Sequence, residues 1–262
     1  MAVASRARVV VVFALVVLAG CGGGSGSAPA TDVAVADATT TVAASSSTGV
    51  STTIEVTTTG PTTTIVATTV PGQLGLSPDG PWHLVDSAPG VEGVGLVYEL
   101  MPKLWVFLPT EVDLERGYLW TFNEEDRPII EAYLMAVLTR YRSTDSVPAT
   151  LDDPGWDLYY TPELKARLLP QYEQRSGEGT YTDLDLGVVV RPRVVEDNRT
   201  DSYAIVLDCR LDGAVRRSAD GTLADGATPG VTAVGSANAV VLTSNAWRLD
   251  AYEPEDAACA AG

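Results

Sequence analysis

A long stretch without aromatic side chains limits where this chain can build a core. No phenylalanine, tyrosine or tryptophan occurs between Phe13 and Trp82, and the 52 residues of 22–73 include 15 threonines and 6 serines. Scattered aliphatic side chains in such a tract bury too little apolar surface to offset the entropy of ordering the backbone. We therefore predict a disordered Ser/Thr-rich linker over 21–73 and a single folded domain over 74–262, long enough for an ordinary core.

The chain begins with the order of segments that is typical of a secretory signal. Arg6 and Arg8 precede an apolar run over 9–19. This run is too short to cross a bilayer, because a helix rises about 1.5 Å per residue and the hydrocarbon core is about 30 Å thick. The sequence Leu18-Ala19-Gly20-Cys21 resembles the lipobox of bacterial lipoproteins. The resemblance implies that a signal peptide over 1–20 is removed and that Cys21 carries the lipid.

The lipobox resemblance also implies a location. Two acyl chains hold a protein stably at a bilayer, so we expect the protein at the outer face of the cytoplasmic membrane in a bacterial cell envelope.

Residues 74–262 hold 15 of the 17 basic and 31 of the 34 acidic side chains. Nucleic-acid phosphates would repel a domain this acidic, so we expect no nucleic-acid partner. The expected partner is the membrane, which the protein contacts through its lipid.

Two helices are predicted in the first half of the folded region. The first follows the N-cap Asn123 and carries apolar side chains at a 3.6-residue period up to Tyr141. The second begins at Thr161 and Pro162, and Pro170 is expected to kink it or end it early. Before them, two apolar runs over 94–100 and 104–108 are expected to pair as a β-hairpin.

After the helices the apolar period changes to two, which predicts strands. Along 203–211, one face holds Cys209 and its apolar neighbours and is expected to point into the core, while Asp208 and Arg210 point the other way. Further strands are predicted near 231–234, over 237–243 and over 247–252. Helices followed by a meander predict an α+β fold, with the helices on one face of a curved antiparallel sheet.

This order of elements resembles the secreted NTF2-like, SnoaL-like cone-shaped domains of bacterial lipoproteins. The resemblance covers about 123–252, and its residues are Ile130, Tyr133, Val137 and Tyr141 of the first helix, Asp208-Cys209, and the hairpin from Val240-Val241-Leu242 to Trp247-Arg248-Leu249. It implies a pocket between the helices and the concave sheet. The candidates to line that pocket are Tyr133, Trp156, Tyr159 and Trp247.

The sequence contains few groups that usually carry catalysis. His83 is the single histidine, and the motifs of α/β-hydrolases, zinc proteases, P-loop nucleotide-binding proteins and Rossmann dinucleotide-binding domains are missing from the sequence. We assign no catalytic residue, no metal site and no cofactor. A calcium site at Asp212, Asp220 and Asp225 is a weaker alternative, because their spacing differs from that of the usual calcium loop.

The three cysteines predict one disulfide bond. If Cys21 carries lipid, Cys209 and Cys259 remain as the pair in an oxidising compartment. The alternative is a buried free thiol with a frayed C-terminal tail.

Three functions fit these observations. The leading hypothesis is a membrane-anchored, non-catalytic binding or scaffolding lipoprotein, with an envelope protein or a small apolar ligand as partner. The alternative is a SnoaL-like pocket enzyme or small-molecule carrier that uses a buried carboxylate with a raised pKa, such as Asp208 or Asp185. A structural cap on another secreted complex would present a flat exposed apolar patch instead of a pocket.

Overall fold

The computed structural model describes residues 75–91, 93 and 95–260. The predicted signal peptide over 1–20, the lipidation site Cys21 and the linker over 21–73 lie outside the described residues. The described part is a mixed α/β structure built on a large, mostly antiparallel sheet. None of its helices combines the length and the apolar character that a bilayer-spanning helix needs.

The strands form two sheets. In chain order they are β1 (His83–Val85), β2 (Leu96–Met101), β3 (Leu104–Leu108), β4 (Thr180–Asp183), β5 (Val188–Val190), β6 (Pro192–Val194), β7 (Tyr203–Asp212), β8 (Val215–Ser218), β9 (Thr232–Thr243) and β10 (Ala246–Pro254). The large sheet has the order β1-β2-β3-β5-β7-β9-β10, with β6 also paired to β7, and β4 pairs with β8 in a separate two-stranded sheet. Strands β3 and β5 pair in parallel, whereas the other pairs are antiparallel.

The leading segment of the domain belongs to the large sheet. The predicted hairpin is confirmed as the antiparallel pair β2–β3, and the parallel pair β3–β5 joins it to the later strands. The segment 183–190 alternates apolar residues with Asp183, Asp185 and Gly187, which predicts one strand. That prediction is wrong. A turn separates β4 from β5, with a positive φ of 90° at Gly187. A Cβ at Gly187 would lie 2.4 Å from the Trp105 ring, so only glycine fits there.

Both predicted helices are present. The helices are α1 (Glu111–Leu114), α2 (Arg127–Thr144), α3 (Gly155–Leu158) and α4 (Pro162–Gly177). Asn123 caps the 3₁₀ turn that leads into α2, since its Oδ1 accepts a hydrogen bond from the Glu125 N–H at 3.1 Å. Thr161 caps α4 through the Leu164 N–H. Helix α4 continues past Pro170 to Gly177, so that proline does not end it.

Apolar side chains are buried on both faces of the large sheet. On one face, α2 covers the main core, whose fully buried members include Ile130, Leu134 and Leu138. A smaller cluster of Ala88, Val97, Phe107 and Val189 forms a second hydrophobic group with Leu211 packed against it. Because the sheet is covered on two sides, alternation along a strand does not by itself identify the face that meets the helices.

The predicted orientation of β7 is wrong for this reason. Asp208 lies on the helix-facing side, where the hydroxyl of Tyr133 in α2 donates a hydrogen bond to its Oδ2 at 2.8 Å. Arg210 alternates in step with Asp208, so it shares that face. Cys209 points to the opposite face, where it is disulfide-bonded to Cys259 with a Cα–Cα distance of 4.8 Å.

Candidate ligand-binding cavities

Two neighbouring cavities lie where α2 and α4 meet the large sheet. The first, which we call the tyrosine cavity, has a volume of about 450 Å³, and its lining includes Tyr133, Tyr160, Leu168, Tyr172, Asn238 and Tyr252. The second, the threonine cavity, has a volume of about 440 Å³, and its lining includes Thr144, Thr182, Asp212, Arg216, Thr228 and Thr232. Arg140, Tyr172, Arg175 and Arg210 line both cavities.

Strand register explains how distant parts of the sequence meet in the tyrosine cavity. Asn238 of β9 is opposite Val206 of β7 on one side and Tyr252 of β10 on the other. Side chains directly opposite each other on neighbouring strands share a face. The Asn238 amide donates to the Val206 carbonyl at 3.0 Å and is 1% exposed, so this side chain is held in place.

Arg210 is the most deeply buried cation of the two cavities. The residue is 4% exposed, and its Nη2 donates a hydrogen bond to the Tyr252 hydroxyl at 3.2 Å. Asp212 Oδ2 lies 3.6 Å from the Arg210 Nε without forming a hydrogen bond to it. Among the described residues, the buried Arg210 Nε has no hydrogen-bond partner. One donor of this guanidinium is therefore unused in the protein itself.

Arg140 adds a second positive charge beside Arg210. It lies half-buried near the end of α2, with its guanidinium carbon 4.7 Å from the centre of the Tyr141 ring. Arg175 of α4 lies similarly over Tyr172, at 5.7 Å. Within the described part of the chain, no carboxylate oxygen comes within 4.0 Å of a nitrogen of either arginine. Their charge is available to a ligand.

Asp208 is buried behind the tyrosine cavity and does not line it. Its Oδ1 accepts a hydrogen bond from the Arg191 backbone N–H at 2.8 Å, and its Oδ2 accepts one from Tyr133. Burial raises the pKa of the Asp208 carboxyl above its ordinary value, although the positive charge of Arg210 and the two hydrogen bonds oppose this rise. Asp208 therefore positions Tyr133 and counterbalances Arg210.

The raised pKa of Asp208 predicts a pH-dependent stability difference. The folded state holds the Asp208 proton more tightly than the unfolded chain, so this residue stabilises the fold most below pH about 4, and the contribution is lost as pH rises through the folded pKa. The stability of the wild type relative to Asp208→Asn should therefore fall with rising pH, by at most about 1.4 kcal/mol per pH unit. Urea unfolding of both proteins from pH 3.5 to 7.5 measures it.

Asp183 is the matched control with the opposite sign. Hydrogen bonds from the Asp185 N–H and the Arg217 guanidinium lower the pKa of the Asp183 carboxyl. Its contribution is present above the unfolded pKa and is lost as pH falls, so the advantage of the wild type over Asp183→Asn should grow with pH. Equal pH trends for the Asp183 and Asp208 variants would contradict the assignment.

The sequence-predicted pocket residues do not come together. Tyr133 lines the tyrosine cavity, whereas Trp156 is fully buried in the core and its Nε1 donates to Ser143 Oγ at 3.0 Å. Tyr159 and Trp247 are partly buried against the core, and neither lines the two cavities.

The other candidates from the sequence lie elsewhere. Asp185 is in the turn after β4, where its Oδ1 is 3.4 Å from the Arg217 guanidinium, and His83 is exposed on β1. In the described ranges, Asp212, Asp220 and Asp225 do not form a metal-binding cluster.

The arginines of the cavities were missed in the sequence, although one signal for them was present. Arg140 follows Tyr133 and Val137 at helical spacing, so it interrupts the apolar stripe of α2 with a charge. A charged residue within a core-facing stripe indicates a buried polar partner or a ligand. Arg210 gave no such signal, because the face of β7 that meets α2 was not determined by the pattern.

Comparison with known proteins identifies no family for this chain. No family model matches the chain, and no curated protein matches it. Among solved structures, the intermembrane space region of the chloroplast protein ARC6 is similar over 49% of this chain and 94% of that chain, with 14% sequence identity and a TM-score of 0.33. A TM-score this low carries no argument about fold or function.

Proposed function

We propose that the protein is a lipid-anchored extracytoplasmic binding protein whose folded region takes a small molecule into the tyrosine cavity without catalysing a reaction. The lipobox resemblance at Leu18-Ala19-Gly20-Cys21 supports the anchor, and the Ser/Thr-rich composition of 22–73 supports a spacer. An NTF2-like cone is part of this proposal, supported by helices that precede the meander and cover one face of it.

The tyrosine cavity is the observation that carries the binding function. Its volume of about 450 Å³ is within the usual range for small-molecule sites. Its lining combines apolar walls at Val137, Leu168 and Leu249 with polar groups at Arg210 and Asn238. This mixture is typical of ligand pockets, in which apolar area gives affinity and a few polar groups fix the orientation.

The position of Asp208 favours binding over catalysis. A SnoaL-like enzyme needs a carboxylate that reaches the substrate, and the raised pKa of Asp208 is the property such an enzyme would use. However, both Asp208 oxygens accept hydrogen bonds from the protein, and Asp208 does not line the cavity, whereas its donor Tyr133 does. The acid is therefore engaged in supporting the wall of the cavity.

Native mass spectrometry of the full chain, purified in detergent from bacterial membranes, tests the proposal. We expect a small-molecule adduct that is lost on unfolding, because a cavity of this kind retains its ligand only while folded. The denaturing mass of the same sample should show cleavage before Cys21 and a diacylglyceryl group on its sulfur.

Two neighbouring leucines of α4 provide the matched variants. Leu168 lines the tyrosine cavity, whereas Leu169 is partly buried against the core and does not line either cavity. Leu168→Trp should fill the cavity and abolish the adduct, and Leu169→Trp should keep it. Bare wild-type protein would contradict small-molecule binding and favour the scaffolding role. An adduct that is retained in Leu168→Trp would contradict the placement of the ligand in the tyrosine cavity.

A further inference from the structure

We propose that the ligand is a small organic oxyanion, a carboxylate or a phosphate ester, whose charged group binds between Arg210 and Arg140 while its carbon skeleton contacts the tyrosine cavity. This inference rests on the proposed binding function and adds the chemical class of the ligand. It differs from the small apolar ligand that the sequence suggested.

The distribution of charge is the first support. The chain as a whole has twice as many acidic as basic side chains, 34 against 17. The lining of the two cavities reverses this balance, because it holds Arg140, Arg167, Arg175, Arg210 and Arg216 but only Asp212 and Glu253 as acids. A positive site within a negative protein concentrates an anion at that site and disfavours anions elsewhere on the surface.

The unused donor of Arg210 is the second, independent support. Its side chain is 5% exposed, it lines both cavities, and its Nε lacks a hydrogen-bond partner in the described part of the chain. Buried polar groups without a hydrogen-bond partner are rare in native proteins, so this N–H indicates a partner from outside the chain. A guanidinium presents two parallel N–H donors, and the two oxygens of a carboxylate or phosphate accept them together.

The apolar walls indicate that the anion is organic. Val137, Leu168 and Leu249 line the tyrosine cavity together with four tyrosines, and a bare inorganic ion would leave that surface without contacts. A purely apolar ligand would in turn remove water from Arg210 and Arg140 without replacing its hydrogen bonds, which is unfavourable. A ligand with one anionic end and a carbon skeleton satisfies both parts of the lining.

Isothermal titration calorimetry of the full chain separates charge from shape. The probes are benzoate, phenyl phosphate, inorganic phosphate and benzamide, because benzamide has nearly the shape of benzoate without its charge. We expect benzoate or phenyl phosphate to bind at least about tenfold more tightly than benzamide and inorganic phosphate. Benzoate alone would identify a carboxylate ligand, and phenyl phosphate alone a phosphate ester.

Three arginine variants locate the binding site. Arg210→Met and Arg140→Gln should each weaken binding of the anionic probe by about tenfold or more. Arg193→Gln is the control, because Arg193 lies on β6 and does not line either cavity, and it should bind within about twofold of the wild type. If Arg210→Met fails to fold, Arg140→Gln alone tests the location of the site, because Arg140 is only half-buried.

Several outcomes would overturn the oxyanion. Benzamide binding as tightly as benzoate, or inorganic phosphate binding as tightly as either organic anion, would do so. So would unchanged affinity in a folded Arg140→Gln variant, or no heat from any probe at about 10 mM. If the wild type still carries an adduct in native mass spectra, these results overturn the ligand class alone. A bare wild type instead contradicts the binding function itself.

Discussion

Replacing Trp156 with alanine is expected to lower the free energy of unfolding by about 3–5 kcal/mol. Trp156 is fully buried, and its ring centre lies 4.5 Å from that of Tyr160 and 5.7 Å from that of Tyr172. Its removal would leave a cavity in the main core and would take the hydrogen-bond donor from Ser143 Oγ. The loss combines apolar transfer, the cavity and a broken buried hydrogen bond.

Urea unfolding followed by far-UV circular dichroism measures this loss. Trp247→Ala is the control, because Trp247 is only partly buried at the margin of the same core and makes no hydrogen bond through its indole nitrogen among the described residues. Trp247→Ala should lower the free energy of unfolding clearly less than Trp156→Ala does. Equal losses for the two tryptophans would contradict the assignment of Trp156 to the centre of the core. Trp156→Ala should also change the shape of the tyrosine cavity, since Tyr160 and Tyr172, which contact Trp156, line that cavity.

The Cys209→Ser, Cys259→Ser double variant is expected to lose about 4 kcal/mol of stability relative to the oxidised wild type. The disulfide closes a loop with a sequence separation of 50, and the loop-closure entropy of an unfolded chain rises with the logarithm of that length. For a domain of this size, the melting temperature should fall by about 8–16 °C. Differential scanning calorimetry of the full chain measures the change.

The effect of a reductant on the melting temperature provides the control for the disulfide prediction. Reduced wild type should melt near the temperature of the double variant, whereas the double variant itself should not respond to the reductant. Cys21→Ser in both backgrounds removes the third cysteine from the comparison. An unchanged melting curve on reduction would mean that Cys209 and Cys259 do not stabilise the fold through their bond. Strand β7 would then be held by the core and by its pairing with β5, β6 and β9.

Elements with strong local signals were predictable from the sequence. The β2–β3 hairpin follows from two short apolar runs close in sequence. Helix α2 follows from a periodic apolar stripe and from the Asn123 cap, which in the structure belongs to the 3₁₀ turn that leads into the helix. The Cys209–Cys259 bond was predictable from the number of cysteines, on the expectation that Cys21 carries lipid and that the compartment is oxidising.

Features that depend on which elements meet were not predictable in this way. The parallel contact between β3 and β5 joins residues more than 80 positions apart, and no local pattern encodes it. The pocket residues chosen for their aromatic character included Trp156, which is part of the core. Aromatic side chains fill cores and line pockets equally well, so their type does not separate the two roles.

What the sequence by itself determined about this protein is the division between an aromatic-poor N-terminal region and a core-forming region, together with the type of most local elements. These properties depend on composition and on periods of 2 and 3.6 residues, which are local. The tertiary structure alone decided that Asp208 and Arg210 face α2 and that Arg140 joins Arg210 beside a tyrosine-lined cavity. Both faces of β7 bury side chains, so the orientation of its charges depends on which face the helix covers.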